Sequence, residues 1–213
     1  MVPYYDRDGI VIYHGDCRDV LPSIDPASVD LLLTDPPYGI NLDTDYSGWD
    51  GVRKSATVHM SIEGDGESFN PTQLLLYRRR ILWGANNFPQ LLEPGGWFIW
   101  KKTNHHPRSS QCEMAWTNVT RKISVVYESA KPGTARASWH PAEKPLGLMA
   151  LLVEKWTNPG DLVLDPYMGS GPVAQACHEL GRRYIGIELV EDYCKVAVGR
   201  LAQQTLDLDG GAA

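Results

Sequence analysis

The chain has 213 residues, 43% hydrophobic and 22% charged, with a formal net charge of −6. That balance excludes a disordered chain, and the length fits one domain with a real core. No apolar run approaches the roughly 18 residues of a membrane span, and the start, Met1-Val2-Pro3-Tyr4-Tyr5-Asp6, has no signal-peptide pattern. Four scattered cysteines without a Cys-x-x-Cys pair argue against zinc and disulfides and for a reducing, cytoplasmic setting. The acidic total argues against a polyanion partner, but it hides an uneven distribution. Residues 1–70 carry 4 Lys/Arg and 13 Asp/Glu, residues 71–144 carry 11 and 4, and residues 145–213 carry 5 and 9. A basic middle third between acidic flanks suits a surface that faces an anion.

In chain order, Ile10–Tyr13 reads as a short strand. Val29–Thr34 reads as a buried strand of the kind found in parallel sheets covered on both faces. Asp35-Pro36-Pro37-Tyr38-Gly39 must end it, because proline has no N–H to give the ladder. Residues 40–70, rich in Gly, Asp and Ser without a period, predict a mobile lid loop. Pro71 predicts the first turn of a helix running through Leu74, Leu75 and Tyr77. Ile81–Gly84 and Trp97–Trp100 are two further buried strands. Residues 103–140 are polar and basic around one strand, Ile123–Tyr127. A helix from Leu146 to Trp156, a strand Leu162–Asp165, a helix from Pro172 to Leu180 capped by Gly181, a strand Tyr184–Glu188 and a helix Glu191–Leu201 complete the pattern, with a fraying tail from Asp207. The alternation predicts one α/β domain over residues 1–213. Its expected architecture is a Rossmann-like, doubly wound, mostly parallel sheet with helices on both faces.

Two turns at the carboxyl ends of predicted strands carry chemistry. Asp165-Pro166-Tyr167-Met168-Gly169-Ser170-Gly171 is strand, glycine turn and helix start, with the acid Glu188 at the end of the next strand, near the offset used to hold ribose hydroxyls. A carboxylate at Asp165 is unwelcome beside pyrophosphate and suits a positively charged amino group. Asp35-Pro36-Pro37-Tyr38 offers a carboxylate, a carbonyl fixed by proline and an aromatic face. Two adjacent acceptors fit one planar NH₂ group, and the ring fits a stacked base.

Together these motifs resemble the S-adenosylmethionine-dependent DNA amino-methyltransferases, with the catalytic motif first and the cofactor motif last as in the permuted beta group. His14-Gly15-Asp16-Cys17, Ile81-Leu82-Trp83-Gly84-Ala85-Asn86, Glu113-Met114-Ala115-Trp116 and His140-Pro141-Ala142-Glu143-Lys144-Pro145 also resemble family segments in the expected order. The resemblance implies that Asp35 and the Pro36 carbonyl bind the target amine and that Tyr38 stacks on a flipped base. It implies that Asp165, Gly169, Ser170 and Gly171 line the methionine part of the cofactor, with Tyr167 keeping a ring where the family has Phe. Glu188 is implied at the ribose hydroxyls, Asp16 at the adenine edge and Lys144 at the methionine carboxylate. Ala142-Glu143 departs from the family's Thr-Gln. Residues 103–140 fall where the family places target recognition, and at this size they imply a short target. Lys101, Lys102, Arg108, Arg121 and Lys122 are the candidate phosphate contacts on double-stranded DNA. His105-His106 reads as polar loop rather than metal site.

Within the family that the chain resembles, Asp rather than Ser at position 35 implies a lean toward adenine N6, with cytosine N4 as the alternative. No cysteine follows a proline, which argues against carbon-5 methylation of cytosine. A methyltransferase acting on RNA or on a protein amide, a non-catalytic nucleic-acid-binding module and a nucleotide-dependent oxidoreductase stay open. So do a homodimer and a restriction endonuclease partner.

Overall fold

The computed structural model describes residues 2–41, 65–104, 110–129 and 143–209, with side chains through 202. Strands β1 (Tyr5–Arg7), β2 (Ile10–His14), β3 (Leu31–Thr34), β4 (Arg80–Trp83), β5 (Gly96–Lys102), β6 (Cys112–Thr117), β7 (Ile123–Glu128), β8 (Leu162–Asp165) and β9 (Arg183–Glu188) form one sheet. Its order is β1-β2-β9-β8-β3-β4-β6-β5-β7. Helices α1 (Cys17–Val20), α2 (Leu146–Trp156), α3 (Pro172–Glu179) and α4 (Glu191–Asp209) are joined to it by short 3₁₀ turns.

The strand period of two divides the core. Leu31, Leu33 and Val163 face one layer with α2, α3 and α4 packed on it. Leu32, Leu162 and Leu164 face the other, which Cys17 and Val20 of α1, Tyr77 and Phe88 cover. The three long helices therefore share one face, and among the described residues the second is covered by α1 and single turns. All four residues of β3 and of β8 are buried, as a doubly covered parallel strand requires.

Strands β2, β9, β8, β3 and β4 run parallel, and β6 then turns antiparallel between β4 and β5. β3 and β8 lie side by side, yet the next strand in sequence leaves β3 on one side (β4) and β8 on the other (β9). This is the switch point of a doubly wound sheet, where a crevice opens beyond the strand ends. Both sequence motifs sit on it. That placement answers to topology, since 131 residues separate Thr34 from Asp165, whose side chains share a 2.6 Å hydrogen bond.

Several elements differ from the sequence reading. Pro71 opens no α-helix; residues Leu74–Leu76 make a single 3₁₀ turn, ended where Tyr77 goes extended and the triple-arginine segment enters β4. α4 continues through Asp209, where fraying was expected from Asp207. β1 and β6 were not anticipated. Glu113-Met114-Ala115-Trp116 looks too mixed for a strand, but β6 pairs on both edges, so its ladder is set by neighbours. Within the span 103–140, the described strands β6 and β7 belong to the main sheet. The expected lid falls mostly on residues 42–64, outside the described residues. Its two bases are joined: Asp65 accepts from the N–H of Gly39 at 2.8 Å and of Ile40 at 3.3 Å.

Candidate active site

Beyond the ends of β3 and β8 lies a cavity of about 670 Å³, lined by both motifs. Asp35 and Tyr38 form one half. The Tyr38 hydroxyl donates to Asp35 Oδ1 at 2.6 Å, and the Lys144 ammonium pairs with Asp35 Oδ2. Burial pushes the Asp35 carboxyl up, and Lys144 opposes that shift. Lys144 also reaches Glu113 Oε2 at 2.9 Å and the Tyr38 hydroxyl at 3.3 Å. Its ammonium lies 5.6 Å from the Trp83 ring centre and 5.8 Å from that of Tyr38. Glu113 Oε1 in turn binds Lys102 at 2.6 Å. Lysines and carboxylates thus alternate from β5 inward to the Asp-Pro-Pro-Tyr turn.

Gly84 makes room for this half. It has φ +66°, and a Cβ built there falls inside the Tyr38 ring. The chain needs glycine here both for the backbone angle and for the ring's place.

The other half follows β8. Asp165 is buried, and its hydrogen bonds come from neutral groups: the Thr34 hydroxyl, the Tyr184 hydroxyl at 3.4 Å and the Tyr167 N–H at 3.2 Å. Burial pushes its carboxyl up to about 7. A cation is the partner that would keep it ionised. Gly171 turns the chain into α3 with φ +80°, and a Cβ there meets Ala197 Cβ at 2.7 Å. Glu188, at the end of β9, accepts from the Gly169 N–H and the Val190 N–H, both at 2.8 Å. Burial raises its carboxyl too. Asp16 caps α1 through the Arg18 N–H at 2.8 Å, and that arginine holds its carboxyl below the usual range. The Tyr167 ring meets Phe69 edge-on at 5.6 Å.

The departure at Glu143 has a local answer. Ser170 donates to it at 3.0 Å, and Arg200 of α4 pairs with it at 2.8 Å, so its charge is matched within the site. Ala142 lies outside the described residues.

Asp16, Asp35, Pro36, Tyr38, Lys144, Asp165, Tyr167, Gly169, Ser170 and Glu188 all line the one cavity. Gly171 stands behind it as the hinge into α3. Lys144 was expected at the methionine carboxylate, and the structure gives its ammonium Asp35, Glu113 and Tyr38 instead. Of the candidate DNA contacts, Lys101 and Lys102 end β5 at the cavity end of the sheet, but Lys102 is engaged by Glu113. Arg121 and Lys122 precede β7, which runs parallel to β5, so they lie at the opposite end of the sheet. Arg108, His105 and His106 fall outside the described residues. No cluster able to hold a metal occurs among the described residues, and the four cysteines are free. The sequence reading gave Glu113 and Gly84 no role. Glu113 stood out only as the first residue of one family-like segment and as one of four acidic residues in the basic third.

A family model for DNA methylase, of the N6/N4 type, matches residues 99–199. The matched segment is just under half of the chain. It is 24% identical to the type II methyltransferase M2.LlaDCHI of Lactococcus lactis subsp. cremoris, over 93% of this chain and 91% of that one. It is 26% identical to the type II methyltransferase M2.DpnII of Streptococcus pneumoniae, over 93% and 92%. Among solved structures, the M1.HpyAVI–SAM complex matches with a TM-score of 0.62 at 24% identity, over 90% of this chain and 98% of that one. The cytosine-N4-specific PvuII DNA methyltransferase matches with a TM-score of 0.66 at 17% identity, over 93% and 88%. These structural likenesses show a shared Rossmann-like fold. The residues present fit S-adenosylmethionine, the ligand of the M1.HpyAVI–SAM complex: a buried carboxylate whose donors among the described residues are neutral and a second acid at the next strand end line one cavity large enough for a small molecule.

Proposed function

We propose that this chain is a DNA methylase that takes a methyl group from S-adenosylmethionine and transfers it to the N6 amine of an adenine flipped out of double-stranded DNA. The observation that carries the reading is the side-by-side placement of Asp35-Pro36 and Asp165 at the switch point, which opens an amine-accepting half and a cation-accepting half into one cavity. Asp165 holds the cofactor's ammonium, Glu188 its ribose hydroxyls and Asp16 its adenine edge, with Tyr167, Gly169, Ser170 and Gly171 shaping the wall. The bound cofactor supplies an electrophilic methyl on a sulfonium.

The chain's own residues prepare the amine. An adenine amine is a poor nucleophile because its lone pair is delocalised into the ring. Asp35 accepts one amine hydrogen and the Pro36 carbonyl the other, which localises the lone pair on nitrogen. Tyr38 stacks on the base and fixes its plane. The nitrogen gains one carbon bond and gives up one proton, for which Asp35 is the nearest acceptor. Positioning and electrostatics supply most of the rate, and no covalent enzyme adduct is needed. The base must leave the helix to reach the site.

Lys101, exposed at the cavity end of β5, contacts phosphate. With β6 and β7 built into the sheet, little chain is left to read sequence, which supports a short target. A cytoplasmic modification enzyme acting on host DNA accords with the type II relatives and the four free cysteines. Cytosine N4 is the second reading, favoured by the shared fold with a cytosine-N4-specific enzyme. A long-read methylation profile of host DNA with and without the chain decides between them: N6-methyladenine at a short recurring motif is expected, and N4-methylcytosine would overturn the choice of base.

A further inference from the structure

We propose that Lys144 is a removable placeholder on Asp35, and that Glu113 is the positioning residue that keeps the ammonium when the target amine takes its place. The inference rests on the reading of Asp35 as the amine acceptor. In the structure both Asp35 oxygens are occupied, Oδ1 by the Tyr38 hydroxyl and Oδ2 by Lys144. This satisfies a buried carboxylate while no base is present, since an unpaired buried charge is costly. It also fills the position a target amine needs.

Lys144 cannot retreat to water. Its side chain is 3% exposed, and Trp83 and Tyr38 stand against it. It needs a second anion within reach, and Glu113 already touches it at 2.9 Å. Lys102, 5.1 Å from the Trp100 ring centre, holds the other Glu113 oxygen at 2.6 Å and keeps that carboxylate turned inward. A small shift of the ammonium toward Glu113 therefore frees Asp35 Oδ2 without exposing or stranding a charge. The shift also leaves Asp35 less neutralised and so a stronger acceptor for the amine hydrogen. Glu113 acts through Lys144 and touches neither base nor cofactor.

The test is Glu113→Gln in the full chain, with cofactor affinity, melting temperature and single-turnover methylation of a DNA duplex measured. The variant is expected to lose on the order of tenfold in transfer rate, because the lysine is left on Asp35. Cofactor affinity should stay within about twofold. The groups facing Lys144 are Asp35, Glu113 and Tyr38, and Glu113 helps hold its proton. Losing Glu113 therefore lets the lysine deprotonate more readily, so the variant should regain rate as pH rises where the parent stays flat. A purely structural role would not produce that recovery. In a Lys144→Met background, Glu113→Gln should have no further effect. An unchanged rate in Glu113→Gln, a loss equal in both backgrounds, or a loss with no alkaline recovery overturns the proposal. The underlying reading fails separately, by full transfer in Asp35→Ala. If Asp35→Ala is dead and Glu113→Gln is normal, only the placeholder falls.

Discussion

At the scale of single residues, two carboxylates are kept apart by what surrounds them. Asp35 has a lysine against it, while Asp165 has only neutral donors and a carboxyl pushed up to about 7. Without a cation beside it Asp165 would be mostly protonated at pH 6, and on the proposed reading the cofactor's ammonium would ionise it. Cofactor affinity should rise with pH up to about 7 and level off, with a proton released on binding below that pH; calorimetry in buffers of different ionisation enthalpy reads both. Asp165→Asn should bind weakly with no such slope. The same raised carboxyl should make the cofactor-free protein lose stability as pH climbs from 3.8, its ordinary value, to about 7, because the unfolded chain ionises first. Asp35→Ala, in contrast, should abolish transfer while cofactor binding stays measurable.

Among the elements, two glycines join the halves of the site to the sheet. Gly171→Ala forces a positive φ on a side chain at the start of α3 and drives its Cβ against Ala197 of α4. It should cost about 1–3 kcal/mol by thermal unfolding and weaken cofactor binding. Gly84→Ala should instead displace the Tyr38 ring, lowering transfer with cofactor affinity near that of the parent. These contrasting outcomes test whether the two turns serve separate ligands. The turns themselves were readable: Leu162–Asp165, Leu146–Trp156 and the proline stop after Thr34 all appear where hydrophobic runs and breakers put them. The Pro71 helix was not, since its apolar side chains are drawn one turn at a time onto the sheet's second face. β6 was not either, because its ladder partners are remote in sequence.

For the molecule as a whole, the described candidate phosphate contacts are split between the two ends of the sheet, Lys101 and Lys102 at one and Arg121 and Lys122 at the other. Lys101→Ala should weaken DNA binding and reduce its salt slope by about one unit, as the loss of one phosphate contact would. Arg121→Ala and Lys122→Ala should leave that slope unchanged. Equilibrium binding to a short duplex over a salt series measures all three.

The residue pattern alone determined the α/β class and the cavity-lining motifs, while the cofactor came from the family resemblance those motifs carry. Buried strands, proline stops and glycine turns are local devices, each written within a few consecutive residues. Only the tertiary structure decided that Lys144 faces Asp35, that Glu113 holds Lys144, and that Arg121 and Lys122 stand away from the site. Those facts depend on strand order and direction, which pair residues tens to more than a hundred positions apart, and no local pattern encodes such pairing.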